Sequence, residues 1–148
     1  MALLATILAL AAPSLSRSLH QRNLEQEAAR LLALTEYGRD EAVSQGVPMV
    51  IWVDPESRRF GVKAKAGFTD DSRREKEYAL NADLHFEPMT GTITKDRVVN
   101  AAEFAPDGTL DPASAASVRI GDRFKSTVTL ARTTDGWGYE IVKEGTTR

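Results

Sequence analysis

The most constraining feature of this chain is a helical segment that needs two different surroundings. Met1 to Ala12, MALLATILALAA, is apolar on every side apart from Thr6, which is not the pattern of an ordinary surface helix. Pro13 and Ser14 follow, and a proline inside a helix removes one hydrogen bond and usually kinks it. Beyond them Leu24, Ala28, Leu31, Thr35, Gly38 and Ala42 recur at steps of four and three. That spacing places them on one stripe of an α-helix. Leu32 and Leu34 flank the stripe, and Arg22, Gln26, Glu36, Asp40 and Ser44 take the opposite side. Gly46 and Pro48 supply the stop. The reading is one long helix, with residues 1–23 as its apolar half and residues 24–45 amphipathic, lying on a globular body. At 1.5 Å per residue it spans roughly 67 Å, longer than a domain of this size is wide. Its front half must project and find an apolar home elsewhere. The competing expectation is two ordinary helices divided at Pro13.

The apolar run is too short to cross a membrane alone, since a span needs about 20 such residues. A signal peptide needs a charged start, and the run has none. It reads as the second half of a longer apolar helix. Leu3, Leu4, Ile7, Leu8 and Leu10 suit either lipid or a helical filament core, and burying all five contributes roughly 10 kcal/mol before ordering costs.

After Pro48 the period falls to two. Met49 to Val53 has the length of a buried strand, Asp54-Pro55-Glu56-Ser57 is a turn, and Phe60 to Ala64 is the return strand. Residues 65–77 are charged and read as loop. Tyr78, Leu80, Ala82, Leu84 and Phe86 alternate with polar or small residues, as one half-buried strand from 78 to 86 does. Turn signals stand at Pro88, Gly91, Pro106-Asp107-Gly108 and Pro112, with short strands expected near Ile93 and Phe104. Phe124, Ser126, Val128 and Leu130 alternate again. Asp135-Gly136 then signals a tight hairpin with both central residues at positive φ, before Trp137, Tyr139 and Ile141. The fold class is therefore α+β: a long N-terminal helix projecting from, and packing on, an antiparallel β-sheet or sandwich domain of residues 48–148.

Nothing in the chain points to catalysis. It has no cysteine, which removes disulfides, thiolate metal sites and cysteine nucleophiles. His20 sits among Arg17, Gln21 and Arg22 and reads as a surface residue, as does His85 on the polar face of its strand. Asp107-Gly108-Thr109-Leu110-Asp111 falls short of a calcium loop, and Asp70-Asp71 beside Arg73-Arg74 reads as solvated loop. Glu75, Glu77 and Glu87 form no defensible carboxylate pair. There is no glycine-rich phosphate loop and no nucleophile elbow. No enzyme activity, metal or cofactor is expected. The formal charge of −2 leaves no overall field to draw the chain onto nucleic acid.

One long helix leaving an antiparallel β domain as an apolar spike resembles the layout of type IV pilins and type II secretion pseudopilins. The run LLATILALAAPSLSRSL, with its internal Pro13, is similar to their anchor helix. The stretch LEQEAARLLALTEYGRDEAVSQGVPMVIWVDPE resembles the GspH/FimT family, whose helix ends in R-x-E-A-x-x-x-G-x-x-V before a strand; here these are Arg39, Glu41, Ala42, Gly46 and Met49-Val50. Phe104, Pro106, Asp107 and Gly108 resemble a family turn. The match covers most of the chain, but only about its first fifty residues are specific. Such precursors carry a basic leader, a glycine cleavage site and a glutamate five residues into the mature chain. Aligned on Pro13, Met1 falls inside that mature helix, so the expectation is a misassigned or trimmed start.

The resemblance implies a minor pseudopilin of a type II secretion system, anchored in the inner membrane by its helix with the β domain in the periplasm, then assembled into a periplasmic pseudopilus. It implies other minor pseudopilins and the major one as partners, and the secreted substrate as a possible contact. Two alternatives stay open: a FimT-type minor pilin that serves pilus assembly or DNA uptake, and a secreted β-rich binding protein cleaved near Ala12. For DNA, the six basic residues from Arg119 onward (Arg119, Arg123, Lys125, Arg132, Lys143, Arg148) outnumber four acidic ones only narrowly, so nucleic acid is an unlikely partner.

Overall fold

The computed structural model describes residues 2–68, 75–88 and 98–143, and along the first helix it describes side chains at Leu15 and from Ser18 onward. That helix, α1, runs from Ala2 to Gln45 in one piece, through Pro13. At 44 residues it is roughly 66 Å long. Gly46 ends it in the left-handed conformation (φ 66°), with its N–H donating to the Ala42 carbonyl. Glycine holds that conformation without the steric cost a Cβ would bring.

Eight strands follow: β1 Met49–Asp54, β2 Arg59–Ala64, β3 Lys76–Ala79, β4 Leu84–Phe86, β5 Val99–Phe104, β6 Ser117–Asp122, β7 Thr127–Arg132 and β8 Tyr139–Val142. They form two antiparallel four-stranded sheets, ordered β3-β2-β1-β5 and β4-β6-β7-β8. Helix α1 touches β1, β2 and β5 of the first and β6, β7 and β8 of the second. One continuous core therefore includes Leu24 and Leu31 of the helix, Ile51, Phe60 and Phe104 of the first sheet, and Leu84, Ile120 and Leu130 of the second.

The strand expected from 78 to 86 is two strands in different sheets. Asn81 lies at the corner, where its side-chain oxygen accepts the Asp83 N–H and its carbonyl accepts the Leu84 N–H. Asparagine and aspartate compete for the backbone in this way and favour turns over ladders. The alternation survives on either side because Leu80 and Leu84 both enter the core, while Ala82 is exposed.

The strand expected to begin at Phe124 begins at Thr127. The Asp122 carboxylate accepts the N–H groups of Phe124 and Ser126 and folds the intervening residues into a turn. Lys125 is left-handed there (φ 63°), and Phe124 is left 43% exposed rather than buried. Strand β6, which the sequence reading did not anticipate, is the partner that this turn connects to β7.

The Asp-Gly hairpin exists between β7 and β8 but is wider than a two-residue turn. Arg132 pairs with Tyr139, only Gly136 has positive φ, and the Asp135 side chain accepts the Trp137 N–H. Phe104 lies in β5 as expected, whereas Ile93 lies outside the described residues.

The two sheets are joined at a β-bulge. Ile51 faces Ala102 while Trp52 faces Asn100, so Ala101 is the extra residue in β5. The buried Tyr139 hydroxyl, from the other sheet, lies 2.7 Å from the Ala115 carbonyl and 3.4 Å from that of Ala101. Burial pushes this hydroxyl up to about 12 from its ordinary 10.0. A raised folded value means the unfolded chain loses the phenolic proton first. Stability is then fully present below pH 10.0 and falls as pH rises towards about 12. Tyr139→Phe should cost about 1 kcal/mol at neutral pH and flatten this alkaline loss, as read from denaturant melts at neutral and alkaline pH.

Candidate functional site

The helix is the candidate site, because its buried stripe holds both sheets of the β domain and its described N-terminal end carries exposed leucines. Leu24, Ala28, Leu31, Thr35, Gly38 and Ala42 are all buried, and so is Leu34 beside them. Arg22, Gln26, Glu36, Asp40 and Ser44 are exposed. Thr35 is accommodated in the core because its hydroxyl donates to the Leu32 carbonyl at 2.6 Å. Gly38 is the point of closest approach to the first sheet: a Cβ there would lie 2.8 Å from Ile51 Cδ1 and 3.2 Å from Val62 Cγ2. A cavity of about 10 Å³, room for roughly one water, lies under Leu31 and Thr35 against Ile51, Val118 and Leu130.

Cationic side chains tie both flanks of the helix. The Lys76 ammonium lies 3.8 Å from the centre of the Tyr37 ring, and the Arg30 guanidinium lies 5.3 Å from that of Tyr78. On the side of the second sheet Lys143 pairs with Glu25 at 3.3 Å. Such contacts are worth a fraction of a kcal/mol each in solvent, so the buried stripe sets the attachment and the cations tune it.

Four residues depart from the sequence reading. His20, read as surface, is only 8% exposed. Its ring packs at 4.8 Å on Phe124, its Nε2 lies 3.3 Å from Arg123 Nη2, and its Nδ1 lies 4.0 Å from Asp83. The reading failed because it took His20's neighbours in sequence rather than those the β6–β7 turn brings. Glu27 was not singled out, yet it is 5% exposed and pairs with Arg30 at 3.2 Å. Arg132, counted above as a candidate basic contact, donates instead to the carbonyls of Pro112 and Ser114. Arg119 likewise reaches the Thr127 hydroxyl.

The N-terminal part of α1 carries Leu3, Leu4, Ile7, Leu8, Leu10 and Pro13, whose side chains lie outside the described residues. Where description begins, Leu15 is 63% and Leu19 59% exposed. Among the described residues no helix is long and apolar enough to cross a membrane, and no group of three or more histidine or carboxylate side chains is placed to hold a metal.

Residues 27–142 match the family model described as type II transport protein GspH. The chain belongs to the GspH family. A search of curated proteins found no match. Among solved structures, the minor pseudopilin EpsH from the type 2 secretion system of Vibrio cholerae superposes with a TM-score of 0.52 at 13% identity, covering 84% of this chain and 97% of that one. The type IV minor pilin FimU of Pseudomonas aeruginosa gives 0.58 at 19% identity, covering 87% and 93%. Both share its pilin-like fold. This chain is thus a member of the GspH family with a pilin-like fold.

Substitutions on the helix test how it is held. Gly38→Val should destabilise by ~1–3 kcal/mol through overpacking, and Gly38→Ala by less, since the nearest obstacle is the tip of Ile51; thermal melts of both variants read this. Burial raises the Glu27 carboxyl above its ordinary 4.5, with Arg30 pulling it down more weakly. Its contribution to stability is therefore present below 4.5 and lost as pH rises through the folded value. Glu27→Gln should raise the melting temperature at neutral pH, and the gain should vanish in acid.

Proposed function

We propose that this chain is a minor subunit of a type II secretion pseudopilus, placed at or near its tip and supporting export of folded proteins across the outer membrane. The observation that carries this reading is the family match together with the exposed apolar side chains at the N-terminal end of the described part of the helix. Leu15 and Leu19 stand exposed where α1 leaves the body, and exposed apolar side chains in a row mark a surface that another apolar body covers. Ahead of them Leu3, Leu4, Ile7, Leu8 and Leu10 continue the same helix. In this reading the helix rests first in the inner membrane, with the β domain in the periplasm, and is then transferred to a filament core. Both environments are apolar, so the transfer needs no change in the side chains. The partners are the other minor pseudopilins and the major one, and the secreted substrate is a further contact.

A minor type IV pilin is the second reading, favoured by the fit to FimU. Its DNA-uptake form has less support. Arg119 and Arg132, which the basic count relied on, make bonds within the domain. The signal-peptide reading places cleavage near Ala12, in the interior of a continuous α1.

Ile7→Asp sets a carboxylate in the apolar half and should abolish recovery of the chain in sheared pseudopilus or pilus fractions. The β domain should keep its circular-dichroism spectrum and melting temperature. Normal incorporation of Ile7→Asp would show that the apolar half is not the assembly element.

A further inference from the structure

Charge is spread unequally along the axis of α1. At the end nearest Gly46 the Arg39 guanidinium lies 5.6 Å from the centre of the Trp137 ring. The Asp107-Gly108 turn comes so close that a Cβ on Gly108 would lie 3.0 Å from Val43 and 3.5 Å from Arg39 Nε. Glu36, Asp107 and Asp135 are exposed around that guanidinium, so carboxylates outnumber it and this end is acidic.

The opposite end, around His20, carries cations. The β6–β7 turn presents Arg123, Phe124 and Lys125, all exposed. His20 joins this turn to the helix, its ring 4.8 Å from that of Phe124 and its Nε2 3.3 Å from Arg123. Arg22 is exposed at the same level of the helix, and Arg17 comes three residues before His20. The acids here are Asp83, 4.0 Å from the His20 ring, and Asp122, which is buried and accepts the N–H groups of Phe124 and Ser126. Glu25, further along α1, is paired with Lys143. The four cations Arg17, Arg22, Arg123 and Lys125 thus stand against the two acids Asp83 and Asp122. They surround the exposed apolar side chains of Leu15, Leu19 and Phe124.

The height of this patch fits a lipid headgroup layer. Along the continuous α1, His20 lies eight residues beyond Ala12, where the apolar run ends, a rise of roughly 12 Å. The headgroup layer on each side of a bilayer is about 5–8 Å deep. With the apolar run in the hydrocarbon, the β6–β7 turn stands roughly 4–7 Å beyond that layer. Arginine and lysine side chains span this gap, and it is shorter than the screening length of about 8 Å in physiological salt. We infer that the Arg123-Phe124-Lys125 turn is a lipid-facing surface. While the helix rests in the membrane, the two cations seat on anionic phospholipid headgroups and Phe124 enters between them. The β domain is then held against the bilayer with its acidic end outward. Cations beside one apolar anchor bind reversibly, so the contact does not oppose transfer of the helix to a filament. This inference rests on the membrane-resting step of the proposed function and adds which surface meets the lipid.

The absence of native cysteine lets a single label report on each end. Ser126→Cys in the β6–β7 turn, or Thr134→Cys in the β7–β8 turn at the acidic end, is introduced into the full chain; both positions are exposed. Each carries a fluorophore and is mixed with vesicles of phosphatidylcholine alone, or of equal parts phosphatidylcholine and phosphatidylglycerol, that bear a headgroup quencher. The expected result is quenching at Ser126 on the mixed vesicles and none at Thr134. Arg123→Gln with Lys125→Gln should weaken binding to the mixed vesicles roughly thirtyfold at low salt and leave binding to phosphatidylcholine unchanged. If the pair lowers the melting temperature, Lys125→Gln alone replaces it, with a loss of roughly fivefold. A bound chain that shows no quenching at Ser126, equal quenching at both ends, or the same quenching on phosphatidylcholine alone overturns the contact and leaves the membrane-resting step intact. A chain that binds neither vesicle overturns both, while filament incorporation is read separately from the Ile7→Asp fractions.

Discussion

The contact of one helical stripe with two sheets at once is what the remainder of this structure depends on. Each sheet has four strands and would leave an apolar face open without the helix. Leu24, Ala28, Leu31 and Leu34 cover both, and Gly38 lets the helix come close enough to pack on Ile51 and Val62. A small residue at that crossing is a steric requirement, because the sheet occupies the space a larger side chain would take. The Tyr139 hydroxyl then joins the two sheets at the bulge in β5. These contacts make a rigid body from strands that are individually short, and a rigid body is what a projecting helix needs as its base.

Along the helix the surroundings of the side chains change. From His20 to Ala42 its buried face is fixed by the β domain. From Leu19 towards the N-terminus the described apolar side chains face outward. At the junction His20 packs on Phe124 and its Nε2 lies 3.3 Å from Arg123. Hydrophobic burial is non-directional, whereas a hydrogen bond between ring and guanidinium fixes position. The point at which the helix leaves the body is thus defined by geometry as well as by area.

Much of this was legible in the sequence where a pattern is local and repeated. The helix, its stripe and its stop at Gly46 follow from period and capping. The first hairpin follows from an apolar run and a turn of Asp54 and Pro55, whose Asp54 side chain accepts the N–H groups of Glu56 and Ser57. The reading failed where alternation continued across a corner. At Asn81 the apolar positions keep step while the chain passes from one sheet to the other, and periodicity cannot distinguish these cases. It failed again at Phe124, an aromatic in an alternating run that a carboxylate cap turns outward. Strand β6 was missed because Gly121 and Asp122 dilute its pattern.

By itself the sequence determined that a long helix with two characters heads an antiparallel β domain, because apolar spacing at 3.6 and 2 reports local geometry directly. It also identified the family, because residues of the helix and its stop keep their order along the chain. Only the tertiary structure decided which strands share a sheet, that His20 and Glu27 are buried, and that Arg119 and Arg132 are bound within the domain. It alone brought Arg39, Gly108 and Trp137 to one end of the body. These are relations between residues tens of positions apart, and nothing in a local pattern encodes which distant partner satisfies a polar group.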